Sequence, residues 1–171
     1  IMDMTFPWLP YLPLNEQVAP LQKMAASGYT FVSLTLAVDS TGLSNTIQII
    51  AKERAYFLNN SDKYILVENA DDIRRAKKEE KLAIGFHFQG TGPVGSDLNM
   101  IDTYYKLGVR HMLMAYNSKN LVGDGCNERT DGGLTRFGML LVEEMNKVGM
   151  MVDVSHTGYR TSMDVFEFSP K

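Results

Sequence analysis

Apolar positions along this chain switch between two spacings, one near 3.6 and one near 2, and the switch repeats from end to end. The pattern is clearest in the last third. Leu134, Phe137, Leu141, Met145 and Val148 recur at three and four residues, so they line one face of a helix while Arg136, Glu143, Glu144 and Lys147 stay wet. Gly149 then supplies the residue of positive φ that often ends a helix, and the run Met150 to Val154 reads as a buried strand followed at once by His156.

The same grammar holds upstream. Asn15 is the expected cap of a helix carrying Val18, Leu21, Met24 and Ala25 and stopping at Gly28. Phe31 to Val38 is predicted as a strand closing on Asp39. A helix from about Ser44 to Leu58 turns Ile47, Ile50, Ala51 and Leu58 inward, and Tyr64 to Val67 is a short strand. Asn69, Asp71 and Asp72 open a further helix, and Leu82 to Phe88 is a strand. Ser96 or Asp97 caps a helix with Leu98, Ile101 and Tyr105 inward, which Gly108 ends before the strand Val109 to Ala115. A polar loop from Asn117 to Gly133 precedes the final helix.

Strands alternating with helices indicate an α/β fold with parallel strands. Each main strand delivers polar groups at its carboxyl end: Asp39, then His87 and Gln89, then Tyr116 and Asn117, then His156. In such folds ligands gather beyond those ends. Within Leu82 to Gln89, Ala83, Gly85, His87 and Gln89 share one face and Ile84, Phe86 and Phe88 the other. Small and polar residues toward a crowded axis with bulky ones toward helices is the pattern of a (β/α) barrel.

With 171 residues, 44% of them hydrophobic and 22% charged, the chain can bury a core and is read as one domain. A net charge of -3 offers no field for a polyanion, so no nucleic-acid partner is expected. The cluster Arg74, Arg75, Lys77 and Lys78 is read as the basic end of a helix. No apolar run approaches the roughly 20 residues of a membrane span. Ile1 to Pro13, with three prolines and no basic stretch, does not read as a signal peptide. One cysteine, Cys126, excludes an internal disulfide and favours a reducing compartment, the cytoplasm.

Several motifs compete for the chemistry. Gly90 to Gly95 reads GTGPVG, a literal GxGxxG between strand and helix, but Pro93 lacks an amide donor and no acid ends the next strand. A structural turn is the preferred reading, and a nucleotide-binding α/β protein is kept as the weakest functional one. His111 lies early in its strand, away from the rim. His87 fits either an inward-facing ligand or a satisfied core histidine. Cys126 has no evident base partner, and Ser155 and His156, adjacent on a strand, point to opposite faces and cannot share a proton.

Four sequence blocks carry a family resemblance. GVRHMLMAYN at 108–117 is similar to a strand block of the form GxRYLTLTHN, GLTRFG at 133–138 to a GLTxFG loop, and VEEMNKVGMMVDVSH at 142–156 to VxEMNRLGMxVDxSH. The segment Ile84 to Gly90 resembles a strand carrying GxEGG, and Met2 to Trp8 faintly resembles HNDLPW. On these residues the chain resembles the membrane dipeptidases, also called renal dipeptidases or peptidase family M19, among the metal-dependent amidohydrolase-like barrels.

The resemblance implies a zinc-dependent hydrolase that cleaves dipeptides with a metal-activated water, using one or two ions. It implies His156 as the catalytic, substrate-contacting histidine, Tyr116 and Asn117 as further substrate-binding residues, and a metal region lined by Asp3, Gln89 and His87. Three positions depart from the family pattern. Ile1 stands for the histidine of the first metal motif, Gln89 for the bridging glutamate, and Tyr116 for the histidine of the THN block. A non-catalytic relative that binds a small ligand without metals is therefore the alternative reading. A whole (β/α)8 barrel takes about 250 residues. Residues 1–171 are accordingly expected to be the amino-terminal part of a dipeptidase-like barrel, its first five or so βα units, and to form a homo-oligomer or be completed by a carboxyl-terminal half. The expected partner is a dipeptide or short amide.

Overall fold

The computed structural model describes residues 1–169. In chain order the elements are β1 (Met2–Phe6), α1 (Leu14–Ala26), β2 (Phe31–Val38), α2 (Leu43–Asn59), β3 (Tyr64–Leu66), α3 (Ala70–Lys78), β4 (Leu82–Gln89), α4 (Asn99–Lys106), β5 (Val109–Leu113), α5 (Arg136–Val148), β6 (Met151–Asp153) and α6 (Tyr159–Phe168), with a 3-10 turn at Gly92–Val94. The alternation expected from the sequence is present, and the paired strands run parallel. This is the mixed α/β architecture of a partial TIM barrel. Two compact units share it: Ile1–Leu36 with Ile47–His87, and Ala37–Thr46 with Phe88 onward.

In the first unit the strand order is β1-β2-β4, with β3 on β4 in the register Tyr64↔Leu82, Ile65↔Ala83 and Leu66↔Ile84. Phe31 through Ala37 of β2 are all buried, as are Leu82 through Phe88 of β4, which is why both read as near-continuous apolar runs. The α1 helix starts one residue before the expected cap: Pro13 occupies the N-cap without a side-chain hydrogen bond, its fixed φ of -53° already suiting the helix entry. The α3 helix follows its sequence signal. Asn69 and Asp72 close a capping box, acids lie in the first turn and Arg75, Lys77 and Lys78 in the last.

The buried face of α2 differs from the expectation. Ala51 and Leu58 are exposed, and Ile50, Glu53 and Phe57 are buried. The reason is aromatic. Phe57 packs its ring against Trp8 (6.1 Å), Tyr64 (5.2 Å) and Phe86 (6.2 Å), and this cluster sets the rotation of the helix. Glu53 is carried inward with it, and burial raises its pKa. The Trp8 indole and the Lys52 ammonium, 3.5 Å from Oε1, offset that burial only in part.

In the second unit β5 pairs with β6, with His111↔Met151, Met112↔Val152 and Leu113↔Asp153 in register. The α5 helix carries its expected inward Leu141 and Met145, is capped by Thr135 Oγ1 accepting from Gly138 N–H at 2.9 Å, and ends on Gly149 at φ +85°. Tyr104, not Tyr105, is the inward tyrosine of α4: its ring meets Phe88 edge-on at 4.8 Å and its hydroxyl donates to the Pro93 carbonyl. Tyr105 instead lies under the Arg110 guanidinium at 4.2 Å. The strand β6 is shorter than expected and Met151 is exposed, because among the described residues no strand lies beyond β6 in the order. No described helix is long and apolar enough to cross a membrane.

Candidate active site

The rim of the second unit is organised by Asp39, the residue that follows β2. Its Oδ1 accepts from Thr91 N–H (2.9 Å), Gly92 N–H (3.0 Å) and Asn120 Nδ2 (3.1 Å), and its Oδ2 from Tyr116 N–H (3.1 Å). Two glycines make the approach possible. A Cβ on Gly90, at φ +137°, would lie 2.6 and 2.7 Å from the two Asp39 oxygens, and one on Gly92 would collide with the Asp39 carbonyl. The GTGPVG stretch is thus a turn that binds an anion already present in the chain. The amides of Thr91 and Gly92 that a phosphate would need are spent on Asp39.

Asn120 extends this anchorage, donating also to the Met114 carbonyl (2.8 Å) and accepting from Val122 N–H (2.8 Å). The polar loop is tied down further along. Asp124, almost fully buried, accepts from Gly132 N–H at 2.6 Å and pairs with Lys119 at 2.9 Å, and these hold its carboxyl below the usual range. Asp131 and Asp164 bind the backbone of Gly133 and Leu134. A pocket of about 380 Å³ opens beside Asp39, Thr91, Lys119 and Asn120.

Held on this frame, Tyr116, Asn117 and His156 come together. The His156 Nδ1 lies 2.8 Å from Asn117 Oδ1, and the imidazole stacks on the Tyr116 ring at 4.4 Å and 30°. Asn117 and His156 have φ of +61° and +64°, a region that non-glycine residues seldom occupy and that clusters at functional sites. Backbone bonds brace both: Asn127 N–H donates to the Asn117 carbonyl and Cys126 N–H to that of His156, each at 2.9 Å. Gly125 leaves no room for a Cβ against the Asn117 backbone. The Cys126 thiol, set aside in the sequence for want of a base partner, lies 3.3 Å from Asn117 Oδ1 and joins the group. Gln89 stands half-buried at the end of β4.

Asp3 and His87 belong to the first unit. Asp3 is half-buried and its Oδ1 accepts from Thr5 N–H at 3.0 Å. His87 is fully buried, with Nδ1 3.0 Å from Ser33 Oγ and Nε2 2.9 Å from Thr35 Oγ1. Thr35 gives its hydroxyl proton to the Phe6 carbonyl (3.1 Å), so it accepts from His87 Nε2–H, and Ser33 then donates to Nδ1. His87 and Gly85 share the face that meets Phe31 and Ser33, as the alternation along β4 required. Of the remaining candidates, His111 is buried with Nε2 3.9 Å from the Asp153 carboxylate, whose Oδ1 accepts from Ser155 N–H.

A two-ion centre needs anionic charge and several convergent donors. Among the described residues no three His, Cys, Asp or Glu side chains gather into a possible metal site. Gln89 offers a neutral amide, and both nitrogens of His87 face hydroxyls. The donor set among the described residues does not fit a pair of divalent cations.

Comparison with known proteins gives these residues a context. The model of the membrane dipeptidases (peptidase family M19) matches residues 13–171. An uncharacterized dipeptidase of Schizosaccharomyces pombe is 31% identical over 133 residues, 75% of this chain and 32% of the relative. A dipeptidase of Clonostachys rogersoniana is 32% identical over 111 residues, 64% of this chain and 29% of the relative. Among solved structures, an amidohydrolase from Pseudomonas aeruginosa superposes with a TM-score of 0.90 at 35% identity, covering 100% of this chain and 50% of that one. A metallo peptidase from Rhodobacter sphaeroides, liganded with a phosphinate mimic of the dipeptide L-Ala-D-Ala, shares the fold at a TM-score of 0.86 and 17% identity, over 99% of this chain and 62% of its own. The chain thus spans about a third of the curated relatives and half of the amidohydrolase. With its motifs in order and the family model matching nearly its whole length, the chain belongs to the membrane dipeptidase family, peptidase family M19.

Proposed function

We propose that residues 1–171 form the amino-terminal βα units of a hydrolase that cleaves the amide bond of a dipeptide or short related amide. Tyr116, Asn117 and His156 would face the substrate. The observation that carries this reading is the braced pair of left-handed residues, Asn117 and His156, hydrogen-bonded to each other at a strand-end rim with Tyr116 stacked beside them. His156 then holds one nitrogen against Asn117 and turns the other to the ligand, where it contacts the carbonyl under attack and steadies the charge that develops there.

Zinc is the cofactor the family reading implies; of the residues expected at its site, Gln89 ends β4, while Asp3 and the hydroxyl-bound His87 belong to the first unit. Only Asp3 among them brings a negative charge. That shortfall supports a second reading, a relative that binds a small ligand without metal or turnover. One experiment divides them. The intact protein is offered dipeptides with and without added zinc, and metal content is measured for wild type and Gln89→Glu. Release of amino acids by wild type supports the hydrolase; binding without release, with metal uptake only in the variant, supports the metal-free relative.

Met151 on β6 and Tyr159, Met163 and Phe166 on α6 are exposed apolar side chains. They support either self-association or completion by further βα units. The exposed, unbridged thiol of Cys126 fits a reducing compartment such as the cytoplasm.

A further inference from the structure

We infer that Asn117 is a positioning residue that fixes the tautomer of His156, so that protons bind and leave this imidazole only at Nε2. The inference rests on reading this rim as the substrate-facing site. An imidazole next to an amide side chain can either donate to its oxygen or accept from its nitrogen, and here the oxygen is the atom presented, 2.8 Å from Nδ1. The same oxygen lies 3.3 Å from the Cys126 thiol, whose other acceptor within reach is Asn127 Oδ1 at 3.8 Å. The shorter of the two thiol contacts thus falls on the Asn117 oxygen that faces the ring.

With Oδ1 toward the ring, Nδ1 carries hydrogen whether the imidazole is neutral or charged. Nε2 is left as the acceptor in the neutral form and a donor in the cation. The ring cannot turn over to exchange its nitrogens without leaving the Tyr116 face at 4.4 Å, and its backbone is held by Cys126 N–H. The Tyr116 phenol ring stacks on the imidazole, and the Cys126 thiol meets Asn117 beside it. The geometry of Asn117 itself is set from Asp39, through the adjacent Tyr116 amide.

The test reads the imidazole directly. In 15N-labelled intact protein, kept above the histidine titration and free of substrate, long-range 1H–15N correlations distinguish the Nδ1–H from the Nε2–H form. Wild type is expected to hold the Nδ1–H form in about fivefold to tenfold excess, the ratio one ordinary hydrogen bond supplies. Asn117→Gly removes the acceptor and suits φ +61°, and is expected to bring the two forms to comparable populations. Asn117→Asp keeps an acceptor oxygen and is expected to restore the Nδ1–H form. A wild-type spectrum dominated by Nε2–H overturns the inference whatever the variants do, and so does a glycine variant indistinguishable from wild type. Because no substrate is present, failure to hydrolyse dipeptides leaves this result standing, and the two readings fail separately.

Discussion

Removing the Asp39 carboxylate is the sharpest test of how the rim is built. In Asp39→Ala the amides of Thr91, Gly92 and Tyr116 lose their acceptor, while Asn120 Nδ2 loses one acceptor and keeps the Met114 carbonyl. A hydrogen bond to a charged acceptor contributes about 1.5 to 3 kcal/mol. Asp39 is half-buried, so water can serve some of the donors; with about half of them rescued, the expected loss is about 3 kcal/mol. In urea, at a slope of about 2 kcal/mol/M, that moves the unfolding midpoint of the intact protein down by about 1.5 M. Asp39→Asn separates the donors. Its remaining oxygen can keep Thr91, Gly92 and Asn120, and its amide nitrogen then faces the Tyr116 N–H. The expected loss is about 1 kcal/mol, with the Tyr116 amide resonance moving and those of Thr91 and Gly92 staying near their wild-type positions. An alanine variant within about 0.5 kcal/mol of wild type, a typical surface substitution, would refute the claim that this carboxylate organises the rim.

Three further outcomes follow from the packing. Phe57→Ala empties the space between Trp8, Tyr64 and Phe86 and is expected to cost about 3 to 5 kcal/mol by thermal or urea unfolding. Glu53, whose pKa burial raises, binds its proton more tightly in the folded state than in the unfolded chain. Stability should therefore fall as pH climbs from the ordinary glutamate range through the raised value. Glu53→Gln should flatten that fall and be the more stable protein at pH 8, and an unchanged pH profile of unfolding would count against a buried carboxylate at this place. With the Thr91 and Gly92 amides engaged by Asp39, millimolar NAD or ATP is expected to leave the melting temperature unchanged; a saturable upward shift would revive a nucleotide site at Gly90 to Gly95.

The sequence was most legible where a local signal was complete. For α5 the apolar stripe and Gly149 both point to the same helix, and the structure has it, with Thr135 as its cap. Where two choices satisfy the same spacing, periodicity has nothing to decide with. Ile101 is followed by tyrosines at both +3 and +4, and only the Pro93 carbonyl and the Phe88 ring select Tyr104. The inward face of α2 was missed for a related reason: a hydrophobic count favours Leu58 over Glu53, and the aromatic cluster that turns the helix joins Tyr64 of the next strand to Trp8 and Phe86, which are distant in the chain. The strand-end rim was readable as a list of polar residues, Asp39 included. Its wiring was not, since Asn117 and His156 are 39 residues apart and Asp39 and Tyr116 are 77 apart. The partners of His87, Ser33 and Thr35, are hidden in β2 in the same way.

The most direct measurement is dipeptide hydrolysis by the intact protein, followed as release of free amino acids across a set of dipeptides with zinc supplied, for wild type and His156→Asn. Asparagine tolerates the left-handed backbone at φ +64°, so the variant removes the imidazole with the least disturbance. The account predicts release by wild type and a fall of about a hundredfold or more in the variant, the scale of a lost acid–base group. Wild-type release that the variant matches, or no release from any dipeptide at any zinc level, would contradict it.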